Sequence, residues 1–386
     1  MISNITPTIK YIGVDDLDID LFESQYVVPN GVSYNSYLIE DEKIAIMDTA
    51  DARKGKEWWA NLEEALNGRK PSYLVVHHME PDHASLVAEV ADKYPEIKIL
   101  TSEKAVKMLS QFFPEKDLTA NIEVIKEGNS VCLGEHTLTF YAAPMVHWPE
   151  VMVSYDAKDK VLFSADGFGK FGALSADEDW ACEARRYYFN ICGKYGAPVQ
   201  KLLKKAATLD IAIICPLHGP VLKENLGYYI GLYDTWSKYE AETEGVLIAY
   251  ASIHGGTKVV AEKVAEMFRE KNIGKVAITD LCRDDMAEAI EDAFRMNRLV
   301  LAAASYDASV FPPMYDFIHH LEMKAYQNRK VGIIENGSWA PSAAKTMKKQ
   351  LEAFKNIEIV EPTVTIWSRL KDSDLPQLQA LVDAMA

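Results

Sequence analysis

Hydrophobic and polar positions follow two different rhythms along this chain, and the change falls near residue 243. Before it, short apolar runs alternate with turns. Residues 26–29, 36–39 and 44–48 predict strands, separated by Asn30-Gly31 and the polar turn 40–43. Residues 73–76 and 98–101 predict two more strands, and helices are predicted over 55–67, 84–93 and 103–113. Residues 121–166 return to short strands, with a hairpin turn at 156–159. Residues 177–208 predict helix, broken near 193–198, and a further helix covers 225–238. Strands in two groups with helices between them fit an αββα sandwich of α+β type.

The segment 239–245 is polar and mostly acidic, and it reads as a boundary between a domain over 1–243 and one over 244–386. Beyond it strand and helix alternate strictly. Strands are predicted at 246–251, 276–281, 299–304, 330–335 and 358–363. Each is followed by a helix, at 257–271, 286–295, 312–327, 341–355 and 375–385. Five such β–α units predict an α/β domain with a doubly wound, five-stranded parallel sheet.

Candidate chemistry concentrates where the run 73–76 meets the helix predicted from Ala84. Here His77-His78-Met79-Glu80-Pro81-Asp82-His83 places His78, Glu80, Asp82 and His83 on one strand-to-helix turn, with His77 a fifth candidate. Buried carboxylates are costly unless paired or metal-bound, so this is a poor way to build a core. Three more candidates each end an apolar run: His147 after 138–146, Asp166 after 161–165, and His218 after 211–217. A lone histidine is more often a satisfied polar residue than a ligand. Together, however, these seven side chains suffice for two metals if one carboxylate bridges. Four histidines and three carboxylates, with no thiolate, form a hard, anionic shell that suits iron.

The pattern His78-x-Glu80-x-Asp82-His83, followed by His147, Asp166 and His218, resembles the metal motif of the metallo-β-lactamase fold. Zinc hydrolases of that fold usually carry histidine at the second position. Glu80 there resembles instead the flavodiiron proteins, or A-type flavoproteins. The resemblance implies that His78, Glu80 and His147 bind the iron nearer the flavin, that Asp82, His83 and His218 bind the other, and that Asp166 bridges them.

In doubly wound sheets ligands bind at the carboxyl ends of the strands. Three loops are expected there. Ser252-Ile253-His254-Gly255-Gly256-Thr257 offers hydroxyls and backbone N–H groups to a phosphate at a helix N-terminus. Ser305-Tyr306-Asp307-Ala308 and Asn336-Gly337-Ser338-Trp339-Ala340 bring aromatics that can pack against a flat ring. The three loops resemble the FMN site of flavodoxins, except that Gly256 stands where asparagine is frequent. The resemblance thus covers the whole chain, a metallo-β-lactamase-like diiron domain followed by a flavodoxin-like one.

That order implies an oxidoreductase. Each Fe(II) gives one electron and reduced FMN two, a pool that reduces O2 to water, while two NO need only two electrons to give N2O. Trp148 and Tyr306 are candidate pocket residues. Two rivals stand beside this reading: a zinc-type hydrolase with an appended flavodoxin, against which Glu80 counts, and a pure electron carrier, against which the complete ligand set counts. The resemblance further implies rubredoxin or another small redox protein as donor. It also implies a head-to-tail homodimer or dimer of dimers.

Composition narrows the partners. The chain has 386 residues, 48% hydrophobic and 25% charged, and a net charge of -16 from 57 acidic and 41 basic side chains. Such a surface repels nucleic-acid phosphate and anionic lipid. No apolar run approaches the roughly 20 residues of a membrane span, and the first residues do not read as a signal peptide. Five scattered cysteines with no C-x-x-C predict a reducing cytoplasm rather than a disulfide framework, and they leave no set for a fused rubredoxin or iron–sulfur domain.

Overall fold

The computed structural model describes residues 2–386, which fall into two compact units. The first comprises the described residues up to Tyr188 and Ala197–Tyr233, and the second Phe189–Gly196 and Asp234–Ala386.

The first unit is built on two sheets. One has seven strands in the order Ser3–Asn4, Ile9–Tyr11, Tyr37–Ile39, Ala45–Met47, Tyr73–Val75, Lys98–Ser102 and Ile122–Ile125, the last four parallel. The other has five, in the order Ser130–Cys132, Thr137–Ala142, Met152–Asp156, Val161–Phe163 and Ile213–Cys215. Their facing side chains form one core: Tyr37, Met47, Val75 and Leu100 from the first sheet meet Leu138, Phe140, Val161 and Phe163 from the second. This is the expected sandwich. Tyr73–Val75 runs parallel to its neighbours, as do Val161–Phe163 and Ile213–Cys215 to each other. The loops that follow these strands carry most of the candidate ligands.

Two local expectations fail here. The helix predicted over 84–93 is two helices, Pro81–Ala84 and Val87–Lys93, so Asp82 and His83 are already helical. Pro81 at the first helical position is pre-set for a helix start, with Glu80 still extended before it. The apolar run before His147 is not one strand. Pairing ends at Ala142, and the chain then crosses a loop closed by the bond from Ala143 N–H to the Val151 carbonyl.

The second unit carries five parallel strands in the order Lys275–Asp280, Thr243–Ala251, Met296–Tyr306, Gln327–Asn336 and Lys355–Ile366, with the short antiparallel Ser309–Val310 off one strand. The order 2-1-3-4-5 is that of a flavodoxin-like doubly wound sheet. The fifth strand outruns its predicted end at 363. It carries on past Pro362 through a register irregularity opposite Gly332 and Ile334 and ends at Ile366. The helix predicted to reach 327 stops at Met323, because Ala325 is left-handed (φ 61°). Among the described residues no helix is long and apolar enough to cross a membrane.

Candidate metal centre and flavin groove

Six of the seven candidate ligands present their atoms in two sets, and the seventh faces both. Asp166 Oδ2 lies 3.2 Å from Nε2 of both His78 and His147, and Glu80 Oε2 lies 3.1 Å from the same two nitrogens. Asp166 Oδ1 lies 3.5 Å from His83 Nε2 and 3.7 Å from His218 Nε2. Asp82 Oδ2 lies 3.3 and 3.2 Å from those two nitrogens, which are 3.0 Å apart. One carboxylate therefore has an oxygen in each set.

Burial makes this grouping costly without a cation. His78, His83, Asp166 and His218 are all but inaccessible to solvent. Both oxygens of Asp82 and both of Asp166 are buried without a hydrogen-bond partner among the described residues. Ligands about 2.1 Å from one ion stand about 3.0–3.4 Å apart, close to the 3.0–3.7 Å spacing seen here. Charge follows the same logic. Burial opposes protonation of His147, but Asp166 and Glu80 outweigh it and push the imidazole up to about 9. Burial likewise opposes the charge on Asp166, yet the surrounding histidines hold it well below the carboxylate range.

The imidazoles are aimed by partners that sequence reasoning did not single out. His78 Nδ1 lies 2.8 Å from Glu150 Oε1, which also accepts the Met79 N–H at 2.9 Å. His218 Nδ1 donates to the Ser33 carbonyl at 2.7 Å. The His218 loop is pinned by Asn35, whose amide donates to the carbonyls of Pro216 and Gly219. A nitrogen that donates at Nδ1 leaves Nε2 as a lone pair for metal. Glu23, at the end of a short hairpin strand, faces Glu80 and His147; desolvation and then the Glu80 charge push its carboxyl up to about 7.

His77 does not join the set. Its backbone N–H and Nδ1 engage Asp48 at 2.7 and 2.5 Å, and Nε2 meets Ser154 Oγ at 2.8 Å. Trp148 packs edge-on against His78, with ring centroids 5.1 Å apart.

In the second unit a groove of about 1120 Å³ opens at the carboxyl ends of the strands. All three predicted loops line it: Ser252 to Thr257, Ser305 to Ala308, and Asn336 to Ala340. Gly255, in the left-handed region at φ +87°, turns the chain into the helix Gly256–Glu270, and its N–H is held by Ser252 Oγ at 3.0 Å. A Cβ on Gly256 would fall 2.7 Å from the Ser368 carbonyl oxygen, which explains glycine at the position where asparagine is frequent. Trp339 is 80% exposed and so is no packing residue, and Tyr306 lines this groove beside Phe311. A fourth loop, with Ser368, Arg369 and Leu370, completes the lining and was not foreseen.

Comparison with known proteins finds relatives along the whole chain. A family model described as the ODP family beta lactamase matches residues 32–219. The nitric oxide reductase of Moorella thermoacetica is 29% identical, over 98% of this chain and 96% of its own length. The solved structure of rubredoxin oxygen:oxidoreductase from Desulfovibrio gigas superposes with a TM-score of 0.92 at 25% identity, covering 100% of this chain and 98% of that one. The flavodiiron protein of Giardia intestinalis shares the fold, with a TM-score of 0.90 at 22% identity over 100% of this chain and 96% of its own. Along its whole length this chain is similar to flavodiiron proteins.

A flavodiiron protein carries a non-haem diiron centre and FMN. The orphaned carboxylate oxygens and the converging imidazoles fit two hard cations. The glycine turn, the helix N-terminus and the exposed aromatics of the groove fit a phosphate and a flat ring.

Proposed function

We propose that this chain acts as a flavodiiron oxidoreductase that reduces O2 to water, NO to N2O, or both, with His78, Glu80 and His147 holding one iron, Asp82, His83 and His218 the other, and Asp166 bridging. The observation that carries this is Asp166, with one oxygen facing each histidine pair. Bound there, two irons and FMN supply the electrons for either reduction. The chain's own residues hold and aim. Glu150 and the Ser33 carbonyl set the imidazole tautomers, and Trp148 walls off one flank of His78. Glu80 in place of a histidine argues against a zinc hydrolase.

The remaining features of this reading rest on resemblance and composition. The ligand set falls within the domain assigned to 1–243 and the flavin loops within that assigned to 244–386. By resemblance to the family, the donor is a rubredoxin or another small redox protein. The active assembly is a head-to-tail homodimer or dimer of dimers, in which the flavin of each chain serves the diiron site of the other. The compartment is the cytoplasm. The test is direct: iron and FMN content of the purified chain, then anaerobic turnover with O2 and with NO. Two irons and one FMN per chain, with consumption of either gas, are expected. Full metal and flavin with no turnover of either gas would refute the proposed function.

A further inference from the structure

The two ligand sets are matched in charge. Each has two histidines and one carboxylate of its own, and they share Asp166. What lies behind them is not matched. His78 Nδ1 is backed by Glu150, a residue 2% exposed whose Oε1 takes both the His78 ring and the Met79 N–H, and whose Oε2 is buried without a partner. His218 Nδ1 is backed by a neutral carbonyl, that of Ser33. His83 Nδ1 has no hydrogen-bond partner among the described residues. A charged carboxylate behind an imidazole raises its basicity toward metal more than a neutral carbonyl does.

We propose that Glu150 is a positioning residue that makes the His78 half of the site fill with metal first, so that the diiron centre assembles in a fixed order. This rests on the two-metal reading above. It assigns Glu150 a role that does not require it to touch metal or substrate. A carboxylate is needed because the amide oxygen of glutamine can accept the same two N–H groups but carries no charge and accepts them more weakly.

The test is a titration of the full-length, chelator-stripped protein with Co(II), followed by visible absorption and competition with a chelator. Wild type should take two ions in a tight and a weak step. His218→Ala should keep the tight step and lose the weak one. Glu150→Gln, which conserves shape, should weaken the tight step about ten- to a hundred-fold, the range for loss of such an outer partner. Glu150→Asp, which keeps the charge, should recover most of that loss. Fewer than two ions in wild type would sink the two-metal reading and the filling order with it. Two ions in wild type, with a Glu150→Gln tight step as strong as before, would overturn only the role of Glu150. Loss of the tight step in His218→Ala would overturn the order itself, and this arm stands even if Glu150→Gln fails to fold.

Discussion

The metal site and the flavin groove are built in opposite ways. The seven ligands come from four separated stretches of one unit. Most are nearly solvent-free, and the rings of His78 and His218 are held by further buried hydrogen bonds. The groove comes from loops at one edge of one sheet, and its rim is open: Trp339 is 80% exposed and Tyr306 45%. The first is a preorganised cage whose cost in buried charge only a cation offsets. The second is a shaped surface that a large ligand completes. Damage should therefore be all-or-none in the cage and graded in the groove.

The largest contrast is expected for Asp166→Ala. Losing the carboxylate that faces both histidine pairs should remove most metal, while FMN stays bound at wild-type stoichiometry. Iron analysis and flavin absorbance on one sample check this. A variant that keeps two metals and full activity would show that Asp166 does not bridge.

Next in size is complementation between chains. A His83→Ala variant lacks an intact metal site, and a Ser252/Thr257 double variant lacks FMN. In verified mixed dimers one of the two shared sites regains both, so part of the gas reduction should return. Mixed dimers as inactive as either parent would mean that electrons pass within a single chain.

Smaller still is Gly256→Ala in the groove. Its Cβ would press the Ser368 carbonyl 2.7 Å away, and overpacking of this kind costs about 1–3 kcal/mol. FMN affinity measured by fluorescence should drop roughly 5- to 150-fold, with metal content unchanged. An unaffected flavin Kd would mean that the fourth loop yields freely.

The difference between cage and groove also explains what the sequence made legible. Asp166 and His218 stand shortly after the strands Val161–Phe163 and Ile213–Cys215, which lie within their apolar runs, so both could be placed by eye. His147 was legible only as the end of an apolar run and not as the end of a strand, because pairing stops at Ala142 while apolar character continues. His77 and His78 look alike in the sequence, but adjacent residues point apart: one meets Asp48 and Ser154, the other the metal ligands. Glu150, Ser33 and Asn35 carry no local signal, since each acts on a loop distant in the chain. Three groove loops were legible because each follows a clear strand. The fourth was hidden because Pro362 marks an end that the strand passes through.

The smallest predicted effect is a pH dependence of the metal-free cage. His147 is pushed up to about 9 in the folded chain, where burial is outweighed by Asp166 and Glu80, against about 6.5 unfolded. A raised histidine contributes stability that is fully present below about pH 6.5 and lost as pH rises through about 9. Melting of the metal-free protein should therefore fall more steeply between about pH 7 and pH 10 than that of the metal-loaded form, in which His147 is bound as the neutral ring. Parallel melting profiles would argue that His147 is not the ligand inferred here.

The central claim is that electrons held by the flavin leave through the metal cage. Anaerobic stopped-flow mixing of the reduced protein with NO, followed at the flavin absorbance, tests it most directly. The account predicts rapid flavin reoxidation in wild type and, in FMN-replete Asp166→Ala, a rate lower by orders of magnitude. Equal reoxidation rates in the two proteins would contradict it, because the flavin would then be reacting without the metal site.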